Sequence, residues 1–550
     1  MSTRTLNGVL AVIVVLGMAG FYWHQSRGST DSLDRLYRTS LGFGGKEPSF
    51  GVASAHPLAT EVGMDVLHNG GNAVDAAIAV SYALGVVEPH GSGIGGGGTM
   101  MVYPGAGKEP TVYDYREISS YSGQTSPLAI GVPGFVKGME AVHKDFGTRK
   151  MAELIEPSVR LASDGYSLTA LDESRLENTQ FRMPVRELPH MYPKGQPLKR
   201  GDILRQQELA QILELIQQEG ADGFYRGSIA KELVRKAPSI TLDDLARYRV
   251  LKKKPVKGRF AGYDVYAPPA PSGGIMMIQF LQVAEALKVE ETKGKPSDFV
   301  HLSSEIYKCT YKDRLYKVGD PAFVQVPEEE MISKQHTLKL TKEVSRNQLS
   351  KEQKLELDSA ADQEDHDNTT HFVVVDRDGM MVSATNTVSG YYGSGVYVKG
   401  FFLNNQLKNF SLSANLPNRF QPGKRPFSYT TPMILIKDGE SMIGIGSAGG
   451  RKITEMVGQV LIRHLAYGQS IEDSLKGPRS YVDLANNTVV NEKTFPPKVS
   501  QTLMQRGYSK IKTDDPWAYG SVQTIRVDLR NGKLEGGADP RRDGTWRAEH

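Results

Sequence analysis

The sequence predicts an α+β protein in which β-hairpins and helices are layered on both sides of position 369. Three observations carry that expectation. Alternating apolar segments joined by tight-turn dipeptides recur after position 369, at Asp378-Gly379, Asp438-Gly439 and Asn531-Gly532. Helical segments near 452–467 and 497–506 lie between those hairpins. Ala- and Val-rich segments of helical spacing open the body of the chain, well before position 369.

Arg4 precedes an uncharged apolar run over 8–23. Its length approaches the roughly 17–25 residues that span a bilayer as a helix. A signal peptide competes, with an apolar region of ~7–15 residues, but no clear small-residue cleavage site and no lipid-accepting cysteine follows. Residues 1–23 are expected to be a membrane anchor or signal segment, with the retained anchor favoured. Residues 24–48 read as a linker, which places the body on the extracellular side of the cell membrane.

The body starts at Gly51-Val52-Ala53-Ser54. Pro57 suits the first turn of a helix; Leu58, Val62 and Val66 share one face, and Asn69-Gly70-Gly71 ends it. A second helix runs over about 72–84. The glycine-rich run 90–98 has no Gly-Lys-Ser/Thr and leads into a strand, which argues against a phosphate cradle. Close backbone packing beside a ligand fits it better. Residues 130–340 are expected to be mostly helical. The stretch 345–368 is polar, ends acidic, and is expected to be exposed and mobile.

The net charge of +4 is too small to argue for nucleic acid, and no basic helix with interleaved aromatics supports it. The locally basic run Lys252-Lys253-Lys254, with Lys257, reads as a solvated face. Cys309 is the one cysteine, so no disulfide can close within the chain. No histidine spacing suggests a metal site, and neither metal nor cofactor is expected.

The chemistry concentrates at Asn368-Thr369-Thr370-His371, where the acidic stretch meets the first hairpin. A cut between Asn368 and Thr369 would give Thr369 a free α-amine, whose ordinary pKa is about 7.7–8.0. Hydroxyl nucleophile and amine base would then sit on one residue. An isolated motif of this kind is usually plain strand sequence. Gly446-Ser447-Ala448-Gly449-Gly450, between a strand and a helix, changes the weighing: backbone N–H groups at such a junction hold an oxyanion.

Several segments resemble the γ-glutamyltranspeptidase family of N-terminal nucleophile hydrolases: 51–80, Asp114-Tyr115-Arg116-Glu117, Gly131-Val132-Pro133-Gly134, 268–274, Thr369-Thr370-His371, Leu403-Asn404-Asn405-Gln406, Arg425-Pro426-Phe427-Ser428, 446–450 and Ala538-Asp539-Pro540-Arg541. The resemblance implies an αββα sandwich, self-cleavage into a large subunit (49–368) and a small catalytic one (369–550), and a γ-glutamyl ester intermediate. It implies Thr369 as nucleophile, Thr387 as supporting hydroxyl, and Gly449 and Gly450 as oxyanion hole. Arg116 and Ser428 are implied as ligands of the donor's α-carboxylate, with Gln406, Asn409 and Tyr429 in the same substrate site.

Departures from the family pattern narrow the donor. An acidic residue is usual at the position of Asn409, Asn at that of Ser389, and Ser at that of Tyr429. An ammonium buried without its carboxylate is strongly penalised. A donor without a free α-amine, such as an interior unit of poly-γ-glutamate, is therefore expected, with Asn409 hydrogen-bonding its amide. The pattern is similar to the capsule poly-γ-glutamate depolymerase (CapD-type) branch, in which Arg541 matches a substrate-binding arginine. Water or a cell-wall amine would accept the acyl group. The alternatives are a γ-glutamyltransferase or glutathione hydrolase, an acylase of glutaryl-type amides, and a surface-anchored binding protein without catalysis.

Overall fold

The computed structural model describes residues 49–105, 107–350, 357–364 and 368–549. The expected anchor over 1–23 and linker over 24–48 lie outside the described residues. Among the described residues no helix is long and apolar enough to cross a membrane.

Thirteen strands build two antiparallel sheets. In chain order they are β1 (Phe50–Ser54), β2 (Gly97–Tyr103), β3 (Thr111–Asp114), β4 (Leu251–Lys253), β5 (Val256–Phe260), β6 (Tyr263–Ala267), β7 (Thr370–Val375), β8 (Met381–Thr387), β9 (Met433–Lys437), β10 (Ser441–Ala448), β11 (Ser521–Asp528), β12 (Leu534–Ala538) and β13 (Thr545–Glu549). The first sheet has the order β13-β1-β7-β8-β2-β3-β4, and the second β12-β11-β10-β9-β6-β5. Val373, Val375 and Met381 of the first meet Ile434, Met442 and Ile525 of the second in an apolar layer between the sheets. Helices Pro57–His68 and Ala73–Val87 cover the outer face of the first sheet. Helices Gly274–Ala286 and Ile453–Leu461 cover the second, and helix Pro296–Lys317 packs on them from outside. The result is the αββα sandwich that the family resemblance implied.

Local chemistry explains these elements. His56 Nδ1 accepts from Leu58 N (3.2 Å) ahead of the first helix, whose first turn carries Pro57. Asn72 and Asp75 form a reciprocal capping box on the second. That helix is apolar on nearly all sides, as a helix sandwiched between layers must be.

Both sheets draw strands from each side of position 369. β7 and β8 lie at the centre of the first sheet, between β1 and β2 from far upstream. A cut before Thr369 would therefore leave two pieces still tied by antiparallel ladders.

The middle of the chain departs from the mostly helical expectation. β4, β5 and β6 were hidden by the lysines of the basic run. In Val256–Phe260 burial alternates residue by residue, with Lys257 and Arg259 turned outward on an edge strand. These charges are paired: Lys252 with Asp145, Lys253 with Asp114 (2.8 Å), and Lys257 with Asp264 (2.8 Å).

Candidate active site

Thr369 immediately precedes β7, and Thr387 is the last residue of the neighbouring β8. The register pairs Thr370 with Asn386, which brings the two threonines together. Thr369 Oγ1 is 3.3 Å from Thr387 Oγ1 and in hydrogen-bond contact with the carbonyl of Asn368. Thr387 Oγ1 also reaches that carbonyl oxygen (3.4 Å) and accepts from Ser389 N (2.8 Å). The hydroxyl of Thr369 thus sits against the bond that precedes it, beside a second hydroxyl placed to polarise the same carbonyl. Asn368 is held by its amide, which donates to Gly390 O (3.2 Å).

The glycine-rich run explains how Thr387 is held. A Cβ on Gly96 would lie 2.2 Å from Thr387 O, and one on Gly98 2.6 Å from Thr385 O. Only glycine lets this segment approach the end of β8 so closely. The expected close packing is present, and it is against the protein's own backbone.

Gly449 (φ +130°) and Gly450 (φ +54°) follow β10 in conformations that favour glycine, just ahead of helix Ile453–Leu461. Such turns make an N–H concavity suited to an anion. Gly450 lines a pocket together with Asn368, Thr369, Thr387, Ser389, Gln406, Asn409, Ser428 and Tyr429. Ser389 sits at φ +76°, where asparagine is more at ease than serine. Gln406 Nε2 is buried there without a hydrogen-bond partner among the described residues.

The γ-glutamyltranspeptidase family model matches residues 59–548. The chain belongs to the γ-glutamyltranspeptidase family. It is 39% identical over 504 residues to the capsule biosynthesis protein CapD proenzyme of Bacillus anthracis, covering 92% of each chain. It is 34% identical over 579 residues to the glutathione hydrolase proenzyme of Bacillus subtilis (strain 168), covering 98% of this chain and 97% of that one. Among solved structures, cephalosporin acylase from Bacillus halodurans superposes with a TM-score of 0.82 at 27% identity, covering 91% of this chain and 96% of that one. The protein is accordingly an enzyme of γ-glutamyl transfer or hydrolysis.

Within this family member the structure gathers Thr369, Thr387, Gly450, Gln406, Asn409, Ser428 and Tyr429 at one pocket, with Gly449 adjoining. It does not bring Arg116 or Arg541 to that lining. Arg116 is buried behind the wall. Its Nη2 pairs with Asp114 (3.1 Å), and its Nη1 donates to Pro271 O (3.2 Å) and Pro426 O (3.1 Å). Asp114 also faces Lys253 (2.8 Å) and Arg425 (3.5 Å); burial alone would raise its carboxyl, but these three cations hold it well below the usual carboxylate range. Ser428 N donates to the same Pro271 O (2.9 Å), so Arg116 braces the pocket wall from behind. Arg541 is bound to Glu492, Asp539 (2.8 Å) and the carbonyls of Leu475 and Gly477 (both 2.9 Å).

Two charged lining residues were missed from sequence. Arg451 directly follows the paired glycines, a position that could have flagged it. Asp362 belongs to the acidic stretch expected to be exposed, yet Ser359, Ala361, Asp362 and Asn368 are all buried. Asp362 accepts from Tyr429 OH (2.8 Å) and Tyr311 OH (3.0 Å) and pairs with Arg314 (3.4 Å). His371, two residues after Thr369, is buried against Thr385 (2.9 Å), and burial lowers its pKa to about 3.

Proposed function

We propose that this enzyme cuts its own chain between Asn368 and Thr369 and then cleaves poly-γ-glutamate through a γ-glutamyl ester on Thr369. In the first step Thr369 Oγ1 attacks the Asn368 carbonyl carbon, the C–N bond breaks, and the hydroxyl proton passes to the nitrogen. Water then hydrolyses the resulting ester, leaving an Asn368 carboxylate and a free Thr369 hydroxyl and α-amine. In turnover the amine takes the Oγ1 proton as the oxygen attacks the donor's γ-carbonyl. The N–H groups at Gly449 and Gly450 stabilise the oxyanion, and the departing amine receives the proton. Water or an amine of the cell wall then takes the acyl group. The run over 8–23 holds the body at the outer face of the membrane.

The observation that carries the choice of donor is the charge of the lining. Asn409 is neutral where a free α-ammonium would need a carboxylate. Asp362 is the one acidic residue among those lining the pocket, and it lies on the segment ahead of the proposed cut. The wall that follows the cut contributes Arg451 and no acid. Such a wall suits an acidic donor whose α-nitrogen is already an amide. Similarity to the CapD proenzyme favours the same reading.

The test compares turnover of high-mass poly-γ-glutamate with that of a γ-glutamyl anilide bearing a free α-amine. Poly-γ-glutamate is expected to be shortened with the higher kcat/KM. Preference for the anilide would overturn the donor assignment and favour a glutathione hydrolase.

A further inference from the structure

Arg314 lies in helix Pro296–Lys317, far from Thr369 in sequence, yet it is buried against the stretch 427–429 that faces the pocket. Its guanidinium carbon sits 4.4 Å from the ring centres of both Tyr311 and Phe427 and 5.1 Å from that of Tyr429. Nη2 donates to Tyr429 OH and, at 3.4 Å, to Asp362 Oδ2. Nε has no hydrogen-bond partner among the described residues. Burial alone would lower Arg314, but Tyr429, Tyr311 and Asp362 outweigh it and hold the group above its ordinary value. Asp362 in turn engages Tyr429 and Tyr311 through both its oxygens. This is a carboxylate site with an occupant: one planar cation and two phenols converge on a single carboxylate that itself lines the pocket of Thr369.

The occupant is not part of the wall. Asp362 sits six residues ahead of Asn368, in the short helix Ala360–Glu364. The proposed cut turns this segment into a chain end, whereas Tyr311 and Tyr429 belong to the second core cluster and Arg314 is buried on the same helix as Tyr311. An arginine stripped of its carboxylate inside the protein is strongly disfavoured. The site therefore calls for another carboxylate whenever Asp362 leaves.

We infer that Arg314, with Tyr429 and Tyr311, forms a second carboxylate subsite of the mature enzyme, which Asp362 fills in the uncut chain and an acidic group of the donor fills during turnover. The identity of that donor rests on the proposed poly-γ-glutamate reading: every unit of the polymer carries a carboxylate, so the unit beside the one being cut brings one to Arg314. Tyr429, where serine is usual, then contributes to the choice of an acidic polymer over a short γ-glutamyl amide.

Two arms test this on the self-cleaved enzyme. In the first, Arg314→Gln and Tyr311→Phe are compared with wild type on a γ-linked glutamate oligomer and on a γ-glutamyl anilide with no neighbouring carboxylate. The expected result is a rise in KM for the oligomer of at least about tenfold for Arg314→Gln and about fivefold for Tyr311→Phe, with anilide kinetics within about threefold. Equal losses on both donors, or no change on either, would overturn the subsite. The second arm covers failure of Arg314→Gln to fold. An eight-residue peptide of sequence 357–364 is added to wild type, alongside the same peptide carrying Asp362→Asn. Competitive inhibition by the first, weakened at least about tenfold in the second, supports the inference. No inhibition, or equal inhibition, contradicts it. Because this arm runs with whichever donor is turned over, it separates failure of the subsite from failure of the poly-γ-glutamate assignment.

Discussion

Arg116 and Arg314 are both buried arginines that reach the stretch 426–429 behind the same pocket, and both are neutralised by an aspartate. They differ in where that aspartate comes from. Asp114 ends β3, two residues from Arg116, and is further fixed by Lys253 and Arg425. Asp362 reaches Arg314 from the segment just ahead of Asn368. The first pair is internal to the scaffold; the second joins the scaffold to a piece that a cut at Asn368 would release. Burial and pairing look alike in the two cases, so neither quantity alone marks a residue as structural or functional. Covalent continuity of the counter-charge does.

The largest effect expected from this contrast is on folding. Arg116→Ala leaves Asp114 with fewer cations in a buried site and should lower stability by about 3–5 kcal/mol in chemical denaturation. A loss below about 1 kcal/mol would mean that Lys253 and Arg425 already suffice. Asp362→Ala is expected to cost an uncut Thr369→Ala chain about 1.5–3 kcal/mol, the range for hydrogen bonds to a charged group. The self-cleaved enzyme should barely register the same substitution, and equal losses in both would erase the distinction between the two pairs.

His371 shows what happens to a buried cationic group with no carboxylate beside it among the described residues: it gives up its charge. Its pKa falls to about 3 in the folded chain, from 6.5 in the unfolded one. The unfolded chain therefore binds the extra proton between those values, and stability falls as pH drops from 6.5 toward 3. His371→Gln should flatten that acid limb by up to ~1.4 kcal/mol per pH unit. An unchanged slope would mean the imidazole is not held neutral. The smallest effect belongs to the partly exposed pair Lys257–Asp264, where Lys257→Ala should change stability by less than about 1 kcal/mol.

The legible parts of the fold were those written in local pattern. The hairpins at 370–387, 433–448 and 521–538 follow from alternation and turn dipeptides, and the two early helices from spacing and caps. β4 to β6 escaped because their outward residues are lysine and arginine, which mimic a solvated loop until the alternation is seen in burial. At the site, Thr369 was legible because an amine and a hydroxyl on one residue have a chemical meaning in sequence. Arg116 was assigned to the pocket by resemblance, while its donors go to Asp114 and two carbonyls. No local signal reports that competition. Asp362 looked like part of a solvated acidic tail because its partners, Arg314, Tyr311 and Tyr429, are remote in sequence and polar groups of this kind are usually exposed.

The central claim is that Thr369 is freed by a cut before it and then carries the acyl group. Intact-mass analysis of the folded body, wild type and Thr369→Ala, tests it most directly, before and after acid quench with a γ-glutamyl donor. The account predicts that wild type separates into two fragments meeting at Asn368 and Thr369, that the quenched small fragment carries a γ-glutamyl group on Thr369, and that the variant stays whole and unmodified. Turnover by an uncut wild-type chain, or acylation at any other residue, would contradict it.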